Sequence, residues 1–550
     1  MLNINERFVE EGYDEHGVLN YYKLKYPETF NFAYDIFDEI ADAEPGRRAM
    51  IWTNDKGAEH IFTYGELKEI SDRTAAMFQR HGIRKGDMVM LVLKRHYQFW
   101  FCMLGLQKLG AVAIPATNLL TKKDYVYRFN AASVKAIVCT AEGEAADHAD
   151  AAMSESPTVA KRFIVHGAKE GWLDFDAELS ASPAEFEKPE TSSHDAMLLY
   201  FTSGTTGQPK MVLHENTYAL GHLFTAKHWH NIRPDGVHLT ISDTGWGKAV
   251  WGKLYGQWTM ESCVFVYDHD KFKPSEILPL FAKYHITTFC APPTMFRFFI
   301  REDLSKYDLS SLTYANIAGE ALNPEVYRLF YNATGLKLME GFGQTETTCL
   351  IANSVNMEPK PGSMGKPSPQ YDVDIVDENG KSCPPGETGE IVVRTEGEIP
   401  CGLFRGYYRD EEKTKEAWHD GLYHTGDTAW KDEDGYYWYV GRVDDVIKSS
   451  GYRIGPFEIE SVLMEHSSVL ECAITGVPDE VRGFVVKATI VLNKGYTPSE
   501  ELKKELQDYV KHQTAPYKYP RVIEFVEELP KTISGKIRRA QIRKDDSQRN

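Results

Sequence analysis

The chain has little of what marks a secreted, membrane-spanning or nucleic-acid-binding protein. Its eight cysteines contain no Cys-x-x-Cys pair and stand singly in apolar runs such as Phe289-Cys290-Ala291. That pattern fits buried free thiols in a reducing cytoplasm and argues against a structural zinc site. Positive charge is in deficit, with 62 Lys and Arg against 80 Asp and Glu, a formal net charge of −18. Such a surface repels phosphate backbones, so nucleic acid is not an expected partner. The first residues, Met1-Leu2-Asn3-Ile4-Asn5-Glu6-Arg7, lack a signal-peptide pattern. The most apolar region, 88–115, is broken by Lys94, Arg95, Lys108 and several glycines, too often for a membrane span. Internal repeats, coiled-coil heptads and long low-complexity segments are missing. The common P-loop is missing too: it needs Gly-Lys-Ser/Thr five residues after its first glycine, and Pro209 stands five after Gly204.

What is present is a length of 550 residues, enough for two or more cores, with an ordinary 42% of apolar residues. Residues 1 to about 60 read as an irregular leader. From Thr63-Tyr64-Gly65-Glu66, a capping box, Leu67, Ile70, Thr74, Met77 and Phe78 recur on one helical face, and Gly82 can end the helix. Strand patterns at 88–93, 111–114 and 136–139 alternate with helical ones, which predicts a mostly parallel sheet covered by helices. After a polar stretch at about 142–194 the alternation restarts, with strands at 263–267, 287–290, 313–317 and 337–339. Beyond Met357, dense Pro and Gly with short alternating strands predict a small β subdomain, and a second small α/β pattern runs to Arg539.

The organising stretch is Leu199-Tyr200-Phe201-Thr202-Ser203-Gly204-Thr205-Thr206-Gly207-Gln208-Pro209-Lys210. A buried-strand pattern leads into a Ser/Thr/Gly loop that ends on a cation. Glycines let several N–H groups turn toward one anion, hydroxyls add donors and Lys210 adds charge, so the stretch predicts a phosphate cradle. Polar motifs also follow later strands: Ala291-Pro292-Pro293-Thr294, Ala318-Gly319-Glu320-Ala321-Leu322, and Glu340-Gly341-Phe342-Gly343-Gln344-Thr345-Glu346-Thr347. In open α/β sheets, ligands sit beyond the carboxyl ends of strands, so these motifs predict one shared crevice. Glu346 offers a hard oxygen ligand for Mg²⁺, Phe342 a face for a stacked base, and Asp427 an acceptor for both hydroxyls of a ribose, with Arg442 assisting. Taken alone, each has an ordinary alternative as a cap, a core ring, a turn or a surface ion pair.

Four further motifs occur in order: Tyr423-His424-Thr425-Gly426-Asp427, Gly441-Arg442-Val443-Asp444-Asp445, Lys448-Ser449-Ser450-Gly451-Tyr452-Arg453-Ile454, and Pro530-Lys531-Thr532-Ile533-Ser534-Gly535-Lys536. With the 199–210 stretch they resemble the adenylate-forming superfamily of acyl-CoA synthetases, luciferases and peptide-synthetase adenylation domains, over nearly the whole chain. The resemblance implies an α/β fold with a large N-terminal AMP-binding domain, 1–443. That domain holds two parallel-sheet subdomains and a β subdomain at about 358–443. A small mobile α+β domain, 444–550, follows. It implies an acid-thiol ligase that uses ATP, Mg²⁺ and CoA on a carboxylic acid. ATP or AMP would be bound by Thr202, Ser203, Gly204, Thr205, Thr206, Gly207, Lys210, Gly319, Glu320, Ala321, Glu340, Gly341, Phe342, Gly343, Gln344, Thr345, Asp427, Arg442, Arg453 and Lys536. Lys536, Thr202 and Glu346 would be catalytic, with Lys536 bridging the carboxylate and the α-phosphate. Asp444 would be the hinge, and Gly451 would leave room for the pantetheine arm. Acetylation of Lys536 by a protein acetyltransferase, reversed by a deacetylase, would remove its charge.

The runs Ser242-Asp243-Thr244-Gly245-Trp246 and Gly451-Tyr452-Arg453-Ile454-Gly455-Pro456-Phe457-Glu458 resemble the medium-chain acyl-CoA synthetase branch. Acetate-using relatives carry Trp where Gly343 stands. Losing that indole opens on the order of a hundred Å³, which implies acids larger than acetate. Trp246 would line the acyl pocket. Val250 and Leu254 either line the same tunnel or form a buried helix face, and Lys248 and Lys253 have no evident role. A stand-alone enzyme loading a carrier protein, and an inactive nucleotide or acyl sensor, remain as alternatives, as does a homodimer.

Overall fold

A computed structural model describes residues 1–549, except 203–207, 396–398, 450–451, 480 and 533–535. The capping box forms as the sequence requires. Thr63 accepts from Glu66 N and Glu66 accepts from Thr63 N, starting the helix Tyr64–Arg80. A cap of this kind stabilises a helix by roughly 1 kcal/mol.

Two large sheets carry the N-terminal part. The first has seven strands in the order Lys210–Glu215, Ala196–Thr202, Val112–Pro115, Met88–Val92, Ala136–Thr140, Lys161–Val165 and Leu173–Asp174. All neighbours are parallel except the edge pair Lys210–Glu215 and Ala196–Thr202, a hairpin closed around the phosphate-cradle loop. The second has nine strands, with a parallel centre running from Leu338–Gly343 through Tyr314–Ile317, Thr288–Ala291, Val237–Thr240 and Cys263–Asp268 to Arg48–Asn54.

The leader is therefore not irregular. Val9–Tyr13 and Leu19–Leu24 form a hairpin, and Arg48–Asn54 and Glu59–Thr63 complete the edge of the second sheet. The partner of Arg48–Asn54 is more than two hundred residues away, at Val264–Asp268. No local period announces such a pairing. The polar stretch after 142 likewise holds the strand Lys161–Val165 and the helix Phe175–Ser180.

Buried helices fill the space beside the sheets. Every residue of Gln98–Lys108 is buried, as expected for a helix with no solvent face. Large aromatic rings lock the layer through their polar edges: Trp100 Nε1 donates to Lys253 O at 2.7 Å, and Trp258 Nε1 to Ala49 O at 3.0 Å. A five-stranded antiparallel sheet follows, in which Leu422–Lys431 pairs with both Gly389–Arg394 and Tyr437–Arg442. The C-terminal part builds a second five-stranded sheet around Val469–Asp479 and Gly483–Leu492, covered by the helices Pro456–Glu465 and Glu500–Gln513. All eight cysteines are free and seven are buried. Among the described residues, no helix is long and apolar enough to cross a membrane.

Candidate active site

Thr202 and Lys210 face each other at the loop end of the hairpin. Ser203, Gly204, Thr205, Thr206 and Gly207 lie outside the described residues. The Lys210 ammonium sits 4.5 Å from the centre of the Tyr407 ring and 3.4 Å from its hydroxyl. That hydroxyl donates to Glu346 Oε1 at 2.9 Å. Cation and carboxylate therefore meet through one tyrosine, which sequence reasoning did not single out.

Asp427 lies directly across the sheet from Arg442. Its carboxylate accepts from Gln344 Nε2 at 2.5 Å, the Tyr439 hydroxyl at 3.1 Å and Arg442 Nη1 at 3.4 Å. The Tyr423 hydroxyl donates to Gln344 Oε1 at 2.7 Å, which fixes the amide so that its NH₂ faces Asp427. Burial pushes the Asp427 carboxyl above its ordinary value, and Arg442, Tyr439, Gln344 and Lys536 hold it back. Lys536 thus lies within electrostatic reach of Asp427 although it belongs to the C-terminal part. Its backbone is tied by Lys536 N to Thr532 Oγ1 at 3.1 Å and Thr532 N to Lys536 O at 2.8 Å. Gly426 has φ +69, and a Cβ there would lie 2.9 Å from the Arg442 guanidinium, so this position in the strand Leu422–Lys431 favours glycine.

Phe342 is half-buried and leans on Tyr439, ring centres 6.3 Å apart. Gly319, Glu320 and Ala321 follow the neighbouring parallel strand, in which Ile317 pairs with Glu340. Glu320 accepts from Thr294 Oγ1 at 2.9 Å, and Gly319 has φ +104. Glu340 is 3% exposed, with Leu322 N donating to Oε1 at 3.3 Å and Oε2 without a partner among the described residues. Burial pushes its carboxyl up to about 8. Gly341 is pressed against Trp229, where a Cβ would come within 2.5 Å of the indole. The Thr345 carbonyl accepts from His214 Nε2 at 2.7 Å, and burial pushes that imidazole down to about 4, so it is a neutral donor.

Two expectations are corrected here. Arg453, expected on a phosphate, is an exposed side chain that pairs with Glu378 on the turn after the strand Asp372–Val376, and it is not among the groups gathered around Asp427. Gly343, expected to leave an open volume, does not. A Cβ there would lie 2.3 Å from both Trp251 Cη2 and the Thr348 carbonyl oxygen. The indole missing at 343 is replaced by one reaching in from 251. Trp251 belongs to the short helix Gly247–Gly252, which breaks before Leu254. Val250 and Leu254 are 0% and 1% exposed in the core, so they form a buried face and do not line a tunnel.

Trp246, half-buried, lines a cavity of ≈ 370 Å³ together with Thr117, Leu119, Ser242, Pro292 and Met295. Lys248 and Lys253 have local tasks: their ammonium groups donate to Ala318 O and Ser242 O, each at 2.6 Å. Asp444 is exposed in the turn Val443–Asp445, between the β subdomain and the C-terminal sheet. Gly451 lies outside the described residues. Tyr407, Tyr423, Tyr439, His214 and Trp251 were missed. The tyrosines stand in ordinary-looking strand and loop sequence, and only a search for hydroxyls beside Gly-rich turns would have flagged Arg405-Gly406-Tyr407.

The AMP-binding enzyme family model matches residues 37–408, and the AMP-binding enzyme C-terminal domain model matches residues 458–536. The mouse protein "Acyl-coenzyme A synthetase ACSM3, mitochondrial" is 41% identical over 535 residues, covering 96% of this chain and 92% of the relative. The structure of an anthranilate CoA ligase in complex with anthranoyl-AMP superposes with a TM-score of 0.86 at 28% identity, covering 95% of this chain and 98% of that one. A Brucella canis acyl-CoA synthetase gives a TM-score of 0.71 at 30% identity, with 96% of each chain covered. The mitochondrial designation of the mouse protein, shared by its human counterpart, overturns the expected cytoplasmic placement.

Proposed function

This chain belongs to the AMP-binding enzyme family, and on that premise we propose that it is an AMP-forming acyl-CoA synthetase acting on a carboxylic acid larger than acetate. The observation that supports the reading is the meeting of the Asp427 cluster and the Lys210–Tyr407–Glu346 group along the segment 344–346.

A carboxylate is a poor electrophile because its charge is delocalised. In the first step its oxygen attacks the α-phosphorus of ATP, the bond to pyrophosphate breaks, and an acyl adenylate forms. Charge develops at phosphorus, so cations placed in advance lower the barrier. Lys536 spans carboxylate and α-phosphate, while Thr202, Lys210 and the loop 203–207 cradle the pyrophosphate. Asp427 accepts from the ribose hydroxyls with Arg442 at its side, and Phe342 stacks the adenine over residues 319–321. Glu346 fits Mg²⁺ as an oxygen ligand: the Tyr407 hydroxyl occupies Oε1 and, among the described residues, nothing occupies Oε2. Mg²⁺ there supplies charge neutralisation at the pyrophosphate.

In the second step the CoA thiol attacks the acyl carbonyl and AMP leaves. A domain boundary after 443, with Asp444 as hinge, lets the small domain withdraw Lys536 and bring the Gly451 face to the site. Acetylation of Lys536 would block the first step alone, which makes it a point of control by an acetyltransferase and deacetylase. Acid-dependent ATP–pyrophosphate exchange without CoA tests the reading. Exchange with acids of four or more carbons is expected, and no exchange with any straight, branched or aromatic acid would defeat it.

A further inference from the structure

Segment 399–410 joins two parts of the site that the sequence keeps far apart. Along one side it follows the phosphate hairpin: Arg405 N donates to Leu213 O at 3.4 Å, Tyr408 N to Met211 O at 2.8 Å, and Tyr407 bridges to Val212. Arg405 Nη2 also pairs with Glu215 at 2.6 Å. Along the other side, Phe404 N donates to the Glu346 backbone carbonyl at 2.8 Å. Tyr407 N donates to Thr414 Oγ1 at 2.9 Å, and the Phe404 and Tyr407 rings pack 5.0 Å apart. The Tyr407 side chain, 7% exposed, is thereby held on a braced backbone.

Lys210 and Glu346 carry opposite charges close to one another. Drawn together, they would satisfy each other and offer less to a ligand. They do not meet: among the described residues neither forms an ion pair, and Tyr407 stands between them. Its ring face holds the ammonium, which also donates a long hydrogen bond of 3.4 Å to the hydroxyl oxygen. Its hydroxyl takes Oε1 of the carboxylate, which orients Oε2.

We propose that Tyr407 is a positioning residue that keeps Lys210 and Glu346 apart and aims both at a metal-bound triphosphate. This rests on the ATP-dependent reading above. Tyr407→Phe keeps the ring and its packing and removes only the hydroxyl. Losing a hydrogen bond to a charged group weakens binding by about tenfold or more.

Calorimetry of the full-length chain with ATP, with and without Mn²⁺, is the test. In Tyr407→Phe the affinity for ATP with Mn²⁺ should fall about tenfold, with metal-free ATP changed less than about twofold. Because Tyr407 acts through Glu346, the Tyr407→Phe/Glu346→Gln double variant should bind no more weakly than Glu346→Gln alone. The thermal midpoint of Tyr407→Phe should stay near that of the parent. Unchanged affinity, equal losses with and without the metal, or additive losses in the double variant would each overturn the proposal. Binding needs no acid and no turnover. A parent chain that binds ATP with Mn²⁺ but exchanges no pyrophosphate defeats the proposed reaction and leaves this comparison decisive for Tyr407. A parent chain without that affinity defeats both.

Discussion

On the function proposed above, the nucleotide side and the acyl side of the crevice are built differently. On the nucleotide side the functional groups hold one another: Tyr423 fixes Gln344, Gln344 and Tyr439 reach Asp427, and Tyr407 joins Lys210 to Glu346. Beside Gly343 the fit is one of shape, with the Trp251 ring pressed against the glycine. Polar recognition needs a given residue type at a given place, because a buried donor left without its acceptor is costly. An apolar wall needs only volume, which any neighbouring element can supply. The first kind of site leaves motifs in a sequence and the second does not.

The largest expected effect breaks the nucleotide side. Lys536→Ala should slow acyl-adenylate formation by about 10²–10³-fold, the loss typical of removing one preorganised charge-stabilising group. The same variant should convert supplied acyl adenylate and CoA to thioester at close to the parental rate. Equal loss in both half-reactions, measured by pyrophosphate exchange and thioester formation, would remove the role given to Lys536.

A smaller effect sharpens the acyl side. Trp251→Ala removes the indole that fills the space beside Gly343. Selectivity for a longer over a shorter acid should rise about tenfold, since each extra buried methylene contributes roughly 1 kcal/mol or more. Chain-length profiles of kcat/KM measure this, and an unchanged profile would detach Trp251 from the acyl pocket. Gly343→Trp, by contrast, should lower stability before it alters selectivity, because the Thr348 carbonyl and Trp251 leave no room even for a Cβ.

The smallest effect concerns the buried Glu340. Burial holds its carboxyl at about 8 in the folded chain, above the ordinary 4.5. The folded protein therefore holds a proton that the unfolded chain releases. The stability tied to that proton is fully present below pH 4.5 and is lost as pH rises through about 8. Thermal midpoints should fall across that window by on the order of 2 °C. Glu340→Gln should flatten the slope, and an identical slope in the variant would place the titration elsewhere.

Legibility followed the same division. Thr202, Lys210, Glu346, Asp427 and Lys536 stand out in the sequence because the chemistry proposed for them restricts what can stand there. The alternation of strands and helices was readable from Met88 onward because each element has its own period. Arg48–Asn54 was not, since the parallel partner that seats it in the large sheet is remote in sequence. The wall at Gly343 was misread because an absent side chain says nothing about which neighbour takes its place. Arg453 was misplaced for a related reason: a motif gives the residue but not the partner that a particular domain arrangement offers, here Glu378.

The most direct test of the account is the release of AMP from ATP across a panel of acids, with and without CoA. The account requires release that depends on both acid and CoA, turns over repeatedly, and favours acids of four or more carbons over acetate. Release that ignores CoA, or that occurs with no acid in the panel, would contradict it.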